Sequence, residues 1–244
     1  MLVSFGDTLF GERFGAPPAT VLALPGWMRQ RSDFRHVLDG LDAIALDLPG
    51  FGGTTPEPAE VTGAAGYASL VAPALDGCAD QVIVVGHSFG GRVAVHLAAS
   101  HPDRVKALVL TGVPLLFRDD KPGKPPLSYR AVRRLHRWHL VSDARMERLR
   151  HERGSADYRN ASGTMRGVLV TVVNESYEAQ LARLQCPVSL VWADDDDAVP
   201  PYVAERAAAL LGERATLSVV PGAGHLLPLT TPAALRAAIT AYLP

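Results

Sequence analysis

Apolar residues along this chain recur in short unbroken runs set between turn-forming residues. Six of them, residues 20–24 (TVLAL), 43–46 (AIAL), 81–85 (QVIVV), 105–110 (VKALVL), 187–192 (PVSLVW) and 216–220 (TLSVV), are short and rich in β-branched residues. They predict strands buried on both faces. Stretches of helical composition lie between several of them, at 67–75, 91–100, 201–211 and 232–243. This alternation predicts an α/β fold, a mostly parallel sheet covered by helices on both faces. Residues 1–14 are expected to supply one or two short antiparallel edge strands.

The rhythm breaks once. Residues 115–176 hold no strand and helix pair in the same cadence; the Pro/Gly/Lys-rich run 118–126 (RDDKPGKPP) leads instead into Arg-rich helical sequence. The expected organisation is a core of residues 1–114 and 177–244 with residues 115–176 inserted as a helical cap. Charge sets this segment apart. From Arg118 to Arg153 there are eleven Lys/Arg against five Asp/Glu, which leaves 13 against 20 for the rest of the chain. Val132, Leu135 and Trp138 are spaced as a buried helical stripe, with Arg130, Arg134 and Arg137 on a neighbouring face. Arg130, Arg134 and Trp138 are therefore candidate substrate contacts, and a basic face over a site would steer anionic substrates.

Composition narrows the function. A chain of 244 residues, 48% hydrophobic and 20% charged, can bury a full α/β core. A formal charge of −1 argues against a general nucleic-acid binder. There is no basic leader with an apolar run and no uninterrupted apolar stretch of membrane-spanning length, so a cytoplasmic protein without a membrane span is expected. Cys78 and Cys186 form no redox or metal motif and are read as free thiols. No zinc spacing and no phosphate-binding glycine loop occurs, so the expectation is no cofactor, no metal, and a small-molecule substrate as the partner.

The sharpest local signal is Gly86-His87-Ser88-Phe89-Gly90, at the end of a predicted strand and the start of a predicted helix. So tight a turn forces Ser88 into a strained backbone conformation, and side chains at 86 and 90 would collide with the turn or the neighbouring strand. The serine hydroxyl is lifted above the sheet, and the N-terminus of the next helix faces the reacting carbonyl. Serine needs a base to take its proton and return it to the leaving group, and histidine suits both tasks.

With the elbow, four ordered motifs give the chain a resemblance to the α/β-hydrolase superfamily: Leu24-Pro25-Gly26-Trp27, residues 47–53 (DLPGFGG), residues 192–200 (WADDDDAVP) and Pro221-Gly222-Ala223-Gly224-His225. The resemblance implies a Ser-His-Asp triad in the chain order Ser88, Asp196, His225. His225 stands where the superfamily carries its base. Chemistry alone leaves Asp194 to Asp197 open as the orienting acid; the superfamily pattern Trp-Gly-x-x-Asp-x-x-Val-Pro selects Asp196, with Ala193 in place of the usual glycine, and Asp194 next. The oxyanion hole is expected from the N–H of Phe89 and, by resemblance, the N–H of Trp27. Pro25-Gly26 stands where many relatives carry His-Gly, which removes a loop-bracing side chain.

Serine at the elbow argues against the dehalogenase and epoxide hydrolase branches, which need aspartate there. The leading expectation is hydrolysis of a small-molecule carboxylic ester, thioester or amide through an acyl-serine, as in a carboxylesterase. Carbon–carbon bond hydrolysis with the same triad, and a non-catalytic ligand-binding protein on the same fold, are the alternatives.

Overall fold

The computed structural model describes residues 1–6, 8–52, 55–118, 132, 134–138, 140–153 and 156–243. Eight strands, β1 (Leu2–Phe5), β2 (Leu9–Phe14), β3 (Ala19–Leu24), β4 (Ala43–Leu46), β5 (Cys78–His87), β6 (Val105–Thr111), β7 (Val188–Ala193) and β8 (Ala215–Val220), form one sheet in the order β1-β2-β4-β3-β5-β6-β7-β8. Pairing is parallel from β4 to β8 and antiparallel at β1–β2 and β2–β4. All six predicted strands are present. Of the two N-terminal strands only β1 is an edge, because β2 is enclosed between β1 and β4.

The helices with described bounds are α1 (Arg35–Leu38), α2 (Ala64–Val71), α3 (Phe89–Ser100), α4 (Asp143–Arg153), α5 (Ala156–Asn160), α6 (Gly163–Val172), α7 (Glu178–Arg183), α8 (Pro201–Leu211), α9 (Leu227–Thr230) and α10 (Pro232–Thr240). The helix expected over 67–75 begins earlier and gives way to a 3₁₀ segment, Ala72–Gly77. Pro73 explains the break, since it has no N–H for the α ladder. The final helix stops at Thr240, short of the expected 243. α8 opens on Pro201, whose missing N–H costs nothing at a first turn, and ends where Gly212 takes a positive φ of 61°.

Successive residues of a strand point to opposite faces, and β5 shows why its run is apolar throughout. Val82 and Val84 enter one core layer while Ile83 and Val85 enter the other. The first layer also takes α2, α3 and α8; the second takes α10. α3 is buried almost all round, at the centre of the molecule.

Register then decides where chemistry is possible. Leu24 pairs with Gly86, His87 with Thr111 and Ala193 with Val220, so the carboxyl ends of β3, β5, β6, β7 and β8 lie along one edge. In a parallel α/β sheet that edge is where ligands bind. The loops leaving it carry Trp27, Ser88, Gly112, Asp196 and His225.

Candidate active site

Between β5 and α3, Ser88 has φ 50° and ψ −116°, a conformation L residues avoid. Tertiary contacts hold it there: its N–H donates to Thr111 O at 2.9 Å and its C=O accepts from Gly91 N at 3.1 Å. A methyl group on Gly86 would overlap Gly91, and one on Gly90 would overlap the carbonyls of Leu24 and Pro25 on the neighbouring strand. Both collisions are the ones expected from the motif. From Val82 to Val95 every residue is buried except Ser88. Phe89 is the first residue of α3, so its N–H has no acceptor within the helix.

Asp196 and His225 come from the loops after β7 and β8. His225 Nδ1 and Asp196 Oδ2 are 2.8 Å apart. The carboxylate can only accept, so Nδ1 carries the hydrogen and Nε2 is left as the basic nitrogen. Asp196 is 2% exposed, and its other oxygen accepts from Val199 N at 2.8 Å. Its neighbours do something sequence reasoning missed. Asp194 accepts from Gly222 N at 2.8 Å and Asp195 from Gly224 N at 2.7 Å. The two loops are thus tied at three points. Gly112, directly after Thr111, has φ 57°, and a methyl group there would sit 2.9 Å from the His225 ring. This glycine is the surface on which the imidazole rests, beside the serine.

His87 belongs to the same assembly. It is 2% exposed, with Nε2 2.9 Å from His225 O. A carbonyl only accepts, so His87 donates from Nε2. The two rings are 4.9 Å apart, and a methyl group on Gly26 would lie 2.9 Å from His87 Nδ1. The ring therefore touches both the base loop and the loop after β3. Burial, reinforced by the neighbouring His225, lowers its pKa to about 3, so it is neutral at ordinary pH.

The loop after β3 turns at Gly26, whose O accepts from Arg29 N at 3.1 Å, and Met28 is left-handed with φ 54°. The bracing that Pro25-Gly26 forgoes is supplied further along: Asp47 is fully buried, accepts from Arg31 N at 2.8 Å and pairs with the Arg31 guanidinium. Trp27 packs edge-on against Phe51 at 4.9 Å and Phe89 at 5.5 Å.

A cavity of about 130 Å³ opens beside Ser88, lined among others by Trp27, Phe89, Arg92, Leu169 and Val172. Asp157, Leu169, Val172 and Val173 therefore share a pocket with the serine. Arg92, one turn after Ser88 on α3, is 7% exposed, donates to Val172 O and lies 5.6 Å from the Tyr177 ring centre. Burial draws its pKa down, against Tyr177 and Glu175. Its i+4 spacing from the serine was the signal available in sequence. Asp157, from α5, lines the same cavity.

The predicted substrate contacts fare differently. Arg130 lies outside the described residues. The Arg134 guanidinium stacks 5.1 Å from the Trp138 ring centre, and neither residue lines the cavity at Ser88. The expected buried stripe is not one: Leu135 is 38% and Trp138 57% exposed. Helical spacing reports a shared face, and here no apolar partner among the described residues covers it. Cys78 and Cys186 are free, as expected. No helix among the described residues is long and apolar enough to cross a membrane.

The model of the alpha/beta hydrolase family matches residues 21–238. A lipase, LipV, of Mycobacterium tuberculosis is 44% identical over 41% of this chain and 39% of its own length. A pimeloyl-[acyl-carrier protein] methyl ester esterase of Neisseria meningitidis is 38% identical over 41% of this chain and 40% of its own. The chain thus matches about two fifths of the length of these relatives. A thermophilic esterase from Thermogutta terrifontis superposes with a TM-score of 0.70 at 22% identity, over 99% of this chain and 97% of the other.

Proposed function

Because this chain belongs to the alpha/beta hydrolase family, we propose that it is a serine hydrolase of small-molecule carboxylic esters, with thioesters and amides open to the same chemistry. The observation that carries the reading is the His225–Asp196 pair at 2.8 Å, resting on Gly112 beside the left-handed Ser88. Esterase and lipase relatives support it.

In this mechanism Ser88 Oγ attacks the ester carbonyl while His225 Nε2 takes its proton. Asp196 holds the imidazole in that tautomer and stabilises the cation that forms. The carbonyl oxygen becomes an oxyanion facing the N–H groups of Phe89 and Trp27 at the positive end of α3. Collapse breaks the bond to the alkoxy oxygen, which leaves with the proton from His225. Water, deprotonated by the same nitrogen, then attacks the acyl-serine and releases the acid. Neutral His87 contributes through position: it steadies the base loop without placing a second cation beside the imidazolium. Residues 115–176 act as the cap, which walls the acyl pocket through Leu169 and Val172.

A fluorophosphonate probe tests the assignment. Labelling of the wild type, lost in Ser88→Ala, is expected, together with a fall in kcat of several orders of magnitude on ester substrates. Wild-type turnover in Ser88→Ala refutes it.

A further inference from the structure

The cavity at Ser88 has a neighbour. A second cavity, of about 300 Å³, is lined by Trp27, Phe51, Met165, Glu57, Asn160 and Ser162 among others. Trp27 borders both spaces; Phe89 borders the first and Phe51 the second. The three rings pack edge-on, with Phe51 and Phe89 6.4 Å apart, so they form one aromatic wall between the compartments. α6 contributes lining residues to both compartments. Met165 faces the far compartment while Leu169 and Val172 face the near one, an i, i+4, i+7 stripe that covers about 10 Å of helix.

We propose that the Trp27 indole is a specificity-determining partition: it confines the acyl group on Ser88 to the near compartment, and its removal joins the two into one channel for unbranched, uncharged acyl chains. This rests on Ser88 being the nucleophile. Three observations carry it. At about 130 Å³ the near compartment is well below the roughly 300–1,000 Å³ of ordinary ligand sites. The indole Nε1 is buried and has no hydrogen-bond partner among the described residues, whereas Trp192 Nε1 is tied to Val199 O at 2.7 Å. Replacing Trp27 therefore breaks no hydrogen bond of its side chain. Among the described residues the far compartment presents the Glu57 carboxylate and no Lys or Arg, which favours a neutral chain end over an anionic one.

The test is kcat/KM for p-nitrophenyl esters from acetate to decanoate. Wild type should fall at least tenfold between butyrate and decanoate. Trp27→Leu should raise the decanoate-to-butyrate ratio at least tenfold, Trp27→Phe less than threefold, and an ω-carboxylated decanoyl ester should gain less than decanoate. An unchanged ratio in a Trp27→Leu protein with native near-UV circular dichroism overturns the proposal. Should that variant not fold, Phe51→Leu thins the same wall and carries the same expectation. A binding measurement separates this idea from the nucleophile assignment. Decanoate should bind Ser88→Ala/Trp27→Leu at least tenfold more tightly than Ser88→Ala; equal affinities overturn the partition whether or not any ester is turned over. Absence of fluorophosphonate labelling in the wild type overturns the nucleophile alone.

Discussion

Acidification should destabilise this protein through His87. The unfolded chain protonates this imidazole near pH 6.5, whereas the folded protein, which has it buried against His225, resists until about pH 3. Between those values the unfolded state binds more protons, so stability rises with pH; it is fully present above about 6.5 and is lost as the pH falls toward 3. At 1.36 kcal/mol per pH unit the cost at pH 5 relative to pH 7 is about 2 kcal/mol. With a urea m-value of about 3 kcal/mol/M this moves the unfolding midpoint by roughly 0.6 M. His87→Gln supplies an amide N–H for the His225 carbonyl and cannot take up a proton in this range. Urea titrations of both proteins at pH 5 and pH 7 isolate the residue, because His96, whose pKa burial also lowers, is common to the two. The wild type should lose about 2 kcal/mol more than the variant over this interval. Equal losses would refute the argument that His87 is held neutral.

Three further outcomes are expected. Asp196→Asn should lower kcat on the order of 10⁴-fold by allowing the wrong imidazole tautomer, whereas Asp194→Asn, which keeps an acceptor for Gly222 N, should stay within about tenfold; steady-state kinetics on one ester decide between them. Gly112→Ala should push the imidazole off its seat, reducing kcat by about 10²-fold, and its positive φ should cost about 1–2 kcal/mol; turnover and a melting curve read the two effects separately, and an unchanged kcat removes Gly112 from the site. Arg31→Ala removes the guanidinium paired with the buried Asp47 and should destabilise by about 3–5 kcal/mol, measured by urea unfolding; a loss under 1 kcal/mol would mean that the loop after β3 is braced elsewhere.

The sheet was legible because a strand buried on both faces has no polar positions to blur its run, and β5 and β7 stand out for that reason. The elbow was legible because its demand for glycine is local: residues 86 and 90 sit within two positions of Ser88. Asp196 was less so. Four adjacent aspartates are chemically alike, so the residues alone left the choice open; the family spacing picked Asp196, and nothing in the sequence told that two of its neighbours grip Gly222 and Gly224. His87 escaped notice because its partner lies 138 residues away, beyond any local pattern. The stripe of Val132, Leu135 and Trp138 misled for the converse reason: periodicity describes one helix, while burial depends on a second surface. Trp27 was singled out for its backbone N–H, since nothing in sequence tells that a side chain separates two cavities.

The grip of Asp194 and Asp195 on the glycines around His225 makes the loops after β7 and β8 one mechanical part. A displacement of either carries the other with it, so the 2.8 Å contact between Asp196 and His225 survives motions that would open it if the loops were hung separately. Recombination that swaps the end of this chain for that of a relative must therefore carry over both loops, because a cut between β7 and β8 divides a single component.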